Sequence, residues 1–280
     1  MHRIHTIDKA NDSLYLIRES YCENSGLTIP LVVGEKKAAV LDAGLGVTDT
    51  LRKTAESVTD LPLINILSHG HPDHAGAAVL FDEVYMNEQD LQETRWGLTR
   101  ERRLEDLKTF SENNAEIQQY CEKHVLDCSH FTFHNITDGD ILDLGGVQLE
   151  ILAMPGHTKG SIAVLNRRDG YIYTGDAVCK ELMLTDGRRE SILKSEAGLR
   201  HLSDLTEEIP GLVIYGGHFH DPLPCQMVLD LRDACREILE GKTGNDRRTH
   251  FLFAEMNDPD IVLYKHIKGG ASVTYNAKIL

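Results

Sequence analysis

The chain has 280 residues, of which 41% are hydrophobic, and a formal net charge of −15. That length and apolar share support a sizeable packed core and exclude a disordered chain. The acidity argues against a nucleic-acid phosphate backbone as partner and favours a small-molecule substrate. Residues 1–12 contain no apolar stretch of signal-peptide length, no run approaches membrane-spanning length, and the six cysteines form no C-x-x-C pair. A reduced, cytoplasmic protein without membrane attachment is expected, and a homodimer stays open.

In chain order, apolar residues alternate over 4–17, with a strand at 14–17. Residues 28–34 and 38–42 read as two more strands, joined by a turn at 34–37. Asp42 closes the second of these and enters the turn A-G-L-G. Residues 48–59 have helical spacing, with Thr48 and Leu51 at the start. The apolar run L-P-L-I-N-I-L, 61–67, then reads as a buried strand, giving an α/β alternation.

That strand feeds S-H-G-H-P-D-H-A-G, residues 68–76, which packs His69, His71, Asp73 and His74 into six residues. Side chains two apart on extended chain point the same way, so His69 and His71 can grip one ion together. Asp73 and His74 lie beyond, where the chain turns, and can face a second. Neutral imidazole and carboxylate suit a borderline divalent metal such as zinc.

Further along, 77–81 reads as a helix start and 83–86 as a short strand. Residues 87–124 are highly charged and Gly-poor, with helical patches such as R-R-L-E-D-L-K-T-F, and they hold the only tryptophan, Trp96. They suggest a helical insertion over about 87–130, either a lid over a substrate or a solvated peripheral helix pair. The run 100–103 reads as a solvated face. Residues 131–154 read as hairpin material that ends in P-G-H-T-K-G-S, so His157 sits just past a strand end. A hairpin over 162–174 ends in G-D-A, placing Asp176 likewise. Residues 177–196 read as a polar loop, 196–208 as a helix, and 212–215 as a strand ending in G-G-H, which places His218. A helix over 224–240 and tail strands F-L-F-A, I-V-L-Y-K-H-I and S-V-T-Y-N follow. No linker or repeat interrupts the chain, so one domain over 1–280 is expected. Tyr173 and Tyr215 read as strand packing, His220 and Asp221 as polar loop. His2, His5, His124, His130, His134, His201, His250 and His266 have no motif context and read as surface or core histidines.

Four apolar strands thus each deliver a ligand type at their C-terminal ends. H-x-H-x-D-H after an apolar strand resembles the metallo-β-lactamase-fold hydrolase superfamily, over roughly residues 10–220. The P-G-H-T-K-G-S segment is similar to the glyoxalase II, lactonase and acyl-thioesterase branch. The resemblance implies an α/β fold, a four-layer αββα sandwich with a helical insertion. It implies two divalent ions, Zn2+ first, with Mn2+ or Fe2+ as alternatives. One would take His69, His71 and His157, the other Asp73, His74 and His218, and Asp176 would bridge them. Asp42 would support the metal loop from behind, the other reading being an ordinary Asx-turn.

The implied chemistry is attack by a metal-bridging hydroxide on a small ester, lactone or thioester, with Asp73 and Asp176 as the catalytic carboxylates and no serine or cysteine nucleophile. Asp176 argues against antibiotic hydrolysis, because β-lactamases of this fold lack a bridging aspartate. The tail does not resemble the glutathione-binding domain of glyoxalase II. Cys179 stands where homoserine-lactone lactonases carry a tyrosine, which argues against that substrate. Two other activities stay open: a metal phosphodiesterase on a small substrate, and a mononuclear iron oxygenase of the persulfide dioxygenase type.

Overall fold

The computed structural model describes residues 4–22, 25–128, 131–251 and 260–279. His2, His130 and all but the first residue of the expected F-L-F-A strand lie outside them. The first sheet takes seven strands in sequence order: β1 (His5–Lys9), β2 (Leu14–Cys22), β3 (Ser25–Val33), β4 (Ala38–Leu41), β5 (Leu63–Ile66), β6 (Val84–Met86) and β7 (His134–Asn135). The first four pair antiparallel. The pairing turns parallel from β4 onward, where α1 (Thr50–Glu56) makes the crossover to β5. The second sheet runs in the order β13 (Val213–Tyr215), β11 (Tyr171–Tyr173), β10 (Ile162–Asn166), β9 (Gln148–Ala153), β8 (Ile141–Asp143). A third orders β12 (Glu181–Leu184), β16 (Ala271–Asn276), β15 (Leu263–Lys268) and β14 (Arg247–Thr249).

The period of two along each strand builds the layers. Ala39 and Leu41 of β4, Ile64 and Ile66 of β5, Leu149 and Ile151 of β9, and Ile162 and Val164 of β10 form one apolar cluster between the two larger sheets. The alternate residues turn outward. Ala38, Val40 and Leu63 pack with Leu51 and Ala55 of α1. Ala163, Leu165 and Ile172 pack with Leu199 and Leu202 of α6 (Arg189–Glu208) and Val228 and Leu231 of α7 (Cys225–Leu239). Helix, sheet, sheet and helix are thus stacked as the expected four-layer αββα sandwich. The insertion supplies α3 (Leu91–Gly97), α4 (Arg100–Phe110) and α5 (Ala115–His124).

Some sequence expectations shift. The F-T-F-H-N-I stretch forms no hairpin with β8; its strand β7 joins the first sheet, parallel to β6. The 177–196 loop holds β12, whose buried Leu182 and Leu184 pair with β16 far along the chain, and α6 starts at Arg189 rather than 196. Arg188 at its N-cap makes no side-chain cap bond, so no start signal marked it. The helix expected at 77–81 is a single 3₁₀ turn, Ala78–Leu80, because Phe81 is extended.

Candidate metal centre

Four strand ends meet at one edge. After β5 come His69 and His71, and then Asp73 and His74 in the one-turn helix α2 (Pro72–Ala75). His157 follows β9, Asp176 follows β11 and His218 follows β13. His69 Nε2 lies 3.1 Å from His71 Nδ1, and His157 Nε2 lies 2.9 Å from that same atom. Asp73, His74 and His218 form a second group, and in each group the ligand atoms all lie within 4.8 Å of one another.

Asp176 spans the two groups. Its Oδ2 is 3.7 Å from His157 Nε2 and 3.2 Å from His218 Nε2, and its Oδ1 is 3.4 Å from His74 Nε2. Asp73 Oδ2 is 3.4 Å from His218 Nε2 and 3.7 Å from His74 Nε2. The structure therefore brings together every residue the sequence proposed for the two ions. His220 and Asp221 stay exposed on a loop.

The hydrogen bonds behind the rings test whether this set fits a cation. His157 Nδ1 faces the carbonyl of Met183 at 3.0 Å; a carbonyl only accepts, so this nitrogen carries the proton. Ser68 Oγ gives its one proton to Asp42 Oδ2 at 2.8 Å, so His69 Nδ1, 3.0 Å from the hydroxyl, must donate to it. His74 Nδ1 donates to Asp42 Oδ2 at 2.6 Å. With the Nδ1 protons so placed, the Nε2 atoms of His69, His74 and His157 turn inward, those of His69 and His157 converging on His71 Nδ1, the orientation metal-bound histidines require. Among the described residues, His74 Nε2 and Asp176 Oδ1 are buried with no hydrogen bond of good geometry, facing each other at 3.4 Å. Buried polar atoms left so are costly unless a ligand takes them, so the donor set fits divalent ions.

The electrostatics agree. Burial, and then the neighbouring histidines, push the His69 and His71 imidazoles well below their ordinary range, which keeps them neutral. For His74 burial also acts downward, but Asp176, Asp73 and Asp42 outweigh it and hold the ring well above its ordinary range, so that without a cation a second proton sits on Nε2 between Asp73 and Asp176. Burial would raise the Asp176 carboxyl; His218 and His74 overrule it and hold it well below. Bringing these carboxylates together thus calls for positive charge between them.

Asp42 supports the site from behind. Its backbone is left-handed (φ 68°), and its carboxylate accepts from Ser68 N at 2.6 Å, Ser68 Oγ, His74 Nδ1 and, at 2.5 Å, the Tyr173 hydroxyl. This corrects the reading of Tyr173 as packing alone. Its signal was in the sequence: a tyrosine in an inward position of Y-I-Y has a hydroxyl that needs a partner.

The insertion also reaches the site. The Phe110 ring stacks on His218, with centroids 6.3 Å apart and planes 26° apart. Arg103, expected on a solvated face, is fully buried and donates to the carbonyls of Gly46 at 2.9 Å and Leu126 at 2.5 Å. Arg102 is forked onto Asp106 at 2.7 Å and caps the half-exposed Trp96 ring.

Known proteins carry the same pattern. Residues 29–218 match the Metallo-beta-lactamase superfamily. The chain is 26% identical over 226 residues to the acyl-coenzyme A thioesterase MBLAC2 of Gallus gallus, covering 74% of this chain and 78% of that protein. It is 28% identical over 144 residues to the hydroxyacylglutathione hydrolase GloC of Haemophilus influenzae, covering 51% of this chain and 62% of that one. Among solved structures, a metallo-beta-lactamase family protein from Thermus thermophilus superposes with a TM-score of 0.54 at 23% identity, over 84% of this chain and 81% of that one. A beta-lactamase domain protein from Burkholderia ambifaria gives 0.59 at 16%, over 81% and 72%. At these identities the structural likeness speaks to the fold. With that match over more than half its length, the chain belongs to the metallo-β-lactamase superfamily, as a metal-dependent hydrolase.

Proposed function

We propose that the protein is a dinuclear hydrolase that removes acyl groups from small thioesters, with esters and lactones as neighbouring chemistry. The observation that carries this is the pair of ligand groups sharing Asp176, with the ring faces of His69, His74 and His157 set by Ser68, Asp42 and Met183. His69, His71 and His157 would hold one ion, Asp73, His74 and His218 the other, and Asp176 both; Zn2+ suits this nitrogen and oxygen set best. When bound, such ions supply Lewis acidity and a water that ionises near neutral pH.

The chain's own residues do the rest. Asp176 is held as a carboxylate, and Asp73 presents Oδ2 beside His218, where it can take a proton from the reacting water. Phe110, from the helical insertion, lies nearly parallel to the His218 ring and lends an apolar wall beside it. A thiol leaving group, with an ordinary pKa of about 8.5, departs as thiolate without a general acid. The thioester is placed first because the relatives' names describe removal of acyl groups from coenzyme A and glutathione. A phosphodiester would favour a free cation at the mouth, yet Arg102, whose charge reaches His71, is forked onto Asp106. A one-iron oxygenase would leave the second ligand group without a purpose.

No described helix is long and apolar enough to cross a membrane; a cytoplasmic setting with a small-molecule substrate is part of the proposal. The test compares kcat/KM on acetyl-coenzyme A, p-nitrophenyl acetate, γ-butyrolactone and bis(p-nitrophenyl) phosphate. The thioester should be the best substrate, and Asp176→Ala should abolish turnover while the far-ultraviolet dichroism stays unchanged. Preference for the phosphodiester, or O₂ uptake on a persulfide with one iron per chain, would overturn the proposal.

A further inference from the structure

Asp90 is fully buried and lies outside both ligand groups, at the entrance to α3. Its carboxylate accepts three hydrogen bonds. Oδ2 takes Gly70 N at 2.9 Å and Thr158 Oγ1 at 2.7 Å; Oδ1 takes Gly160 N at 2.6 Å. Gly70 sits between His69 and His71, and Thr158 directly follows His157. One side chain therefore ties together the two loops whose histidines face each other at 2.9 Å.

The junction is closely fitted on both sides. A Cβ at Gly70 would come within 2.5 Å of Thr94 Oγ1 and 2.8 Å of Asp90 O, and a Cβ at Gly160 would come within 2.8 Å of Asp90 Cγ. Asp90 is itself held on α3, where its carbonyl accepts from Thr94 Oγ1 at 2.8 Å. The two loops leave different sheets, which meet through apolar side chains that set no direction at loop tips. At the base, Ile162 N donates to Ser68 O at 2.8 Å; nearer the histidines, directional bonding comes from Asp90.

We propose that Asp90 is a positioning residue that fixes the distance between His71 and His157, and through it the affinity and geometry of the three-histidine group. This rests on the reading that the group holds a divalent ion. It extends to this chain's own residues the rule that partners behind the ligands tune a metal site, typically by ten- to a hundredfold in affinity.

The test uses the full chain and two readouts other than turnover: zinc affinity by competition with a chromophoric chelator, and the visible spectrum of the cobalt(II)-loaded protein. Asp90→Ala should weaken one of two zinc ions by about tenfold or more. It should alter the cobalt bands and leave the other ion close to wild type, and Asp90→Glu should restore part of the loss. Thr158→Val, which keeps both backbone bonds to Asp90, should shift the same ion less, and it decides the matter if Asp90→Ala does not fold. Folded variants with wild-type affinities and an unchanged cobalt spectrum would overturn the proposal, as would equal weakening of both ions. A wild-type chain that binds no zinc would instead remove the metal-centre reading on which the proposal depends.

Discussion

Tyr173→Phe isolates the support behind the site. The Tyr173 ring is 1% exposed in the core between the sheets, and its hydroxyl donates to Asp42 Oδ2 at 2.5 Å. Phenylalanine keeps the ring and opens no cavity, so only the hydrogen bond is removed. A bond to a charged acceptor contributes about 1.5–3 kcal/mol. Asp42 Oδ2 keeps Ser68 Oγ at 2.8 Å and His74 Nδ1 at 2.6 Å, which places the loss near the low end, about 1.5 kcal/mol. At about 2–4 °C per kcal/mol for a domain of roughly this size, Tm should fall by about 3–6 °C.

The assay is thermal and urea unfolding of metal-free protein in EDTA, so that bound ions do not add to the midpoint. Burial, and then Asp42, hold the Tyr173 hydroxyl well above its ordinary pKa, so it stays protonated and the difference should be constant between about pH 6 and 9. An unchanged or raised Tm, or a difference that vanishes within that range, would refute the reasoning.

Other groups yield simpler expectations. Burial pushes the Cys121 and Cys235 thiols up to about 12, whereas Cys225 is exposed. At pH 8 iodoacetamide should modify Cys225 in native protein and reach the other two only after unfolding, as peptide mass mapping would show. The Arg168 guanidinium, and then Ser13, hold the Asp169 carboxyl below its ordinary range, so its contribution is present above that range and fades as pH falls through the lowered value. Asp169→Asn should therefore be less stable than wild type at neutral pH, with the gap closing below about pH 4 in urea titrations. Arg103→Met takes one donor from the carbonyl of Gly46, which keeps Leu126 N at 3.0 Å, and the guanidinium donor from the part-buried carbonyl of Leu126. It should cost about 1.5–3 kcal/mol and raise amide exchange in 44–46; a neutral effect would contradict the view that these bonds hold α4 to the 44–46 loop.

What was legible in the sequence follows from what is local. The strands that deliver ligands are apolar runs ending in Gly, His or Asp, so β5, β9, β11 and β13 and the residues after them could be read directly. The same holds for α7, whose buried Val228, Leu231, Cys235 and Ile238 repeat at helical spacing. What stayed hidden depends on partners distant in the chain. β12 is four residues long and is defined by β16; β7 is two residues long and belongs to a different sheet from β8, the strand that follows it. Asp90 and Tyr173 sit in a charged stretch and in a strand, and only folding brings them to Gly160 and Asp42. Arg103 shows the limit of reading charge runs: its helix position is inward-facing, and carbonyls rather than water meet its charge.

The central claim is that one edge of the sandwich holds two ions in two distinct ligand groups. Zinc per chain, measured by mass spectrometry on protein purified without added metal and then zinc-loaded, tests it most directly, with His157→Ala and His218→Ala alongside. The account predicts two ions in the wild-type chain and one in each variant, with the two variants losing different ions. A loaded wild-type chain with one ion or none, or variants that bind zinc as the wild type does, would contradict it.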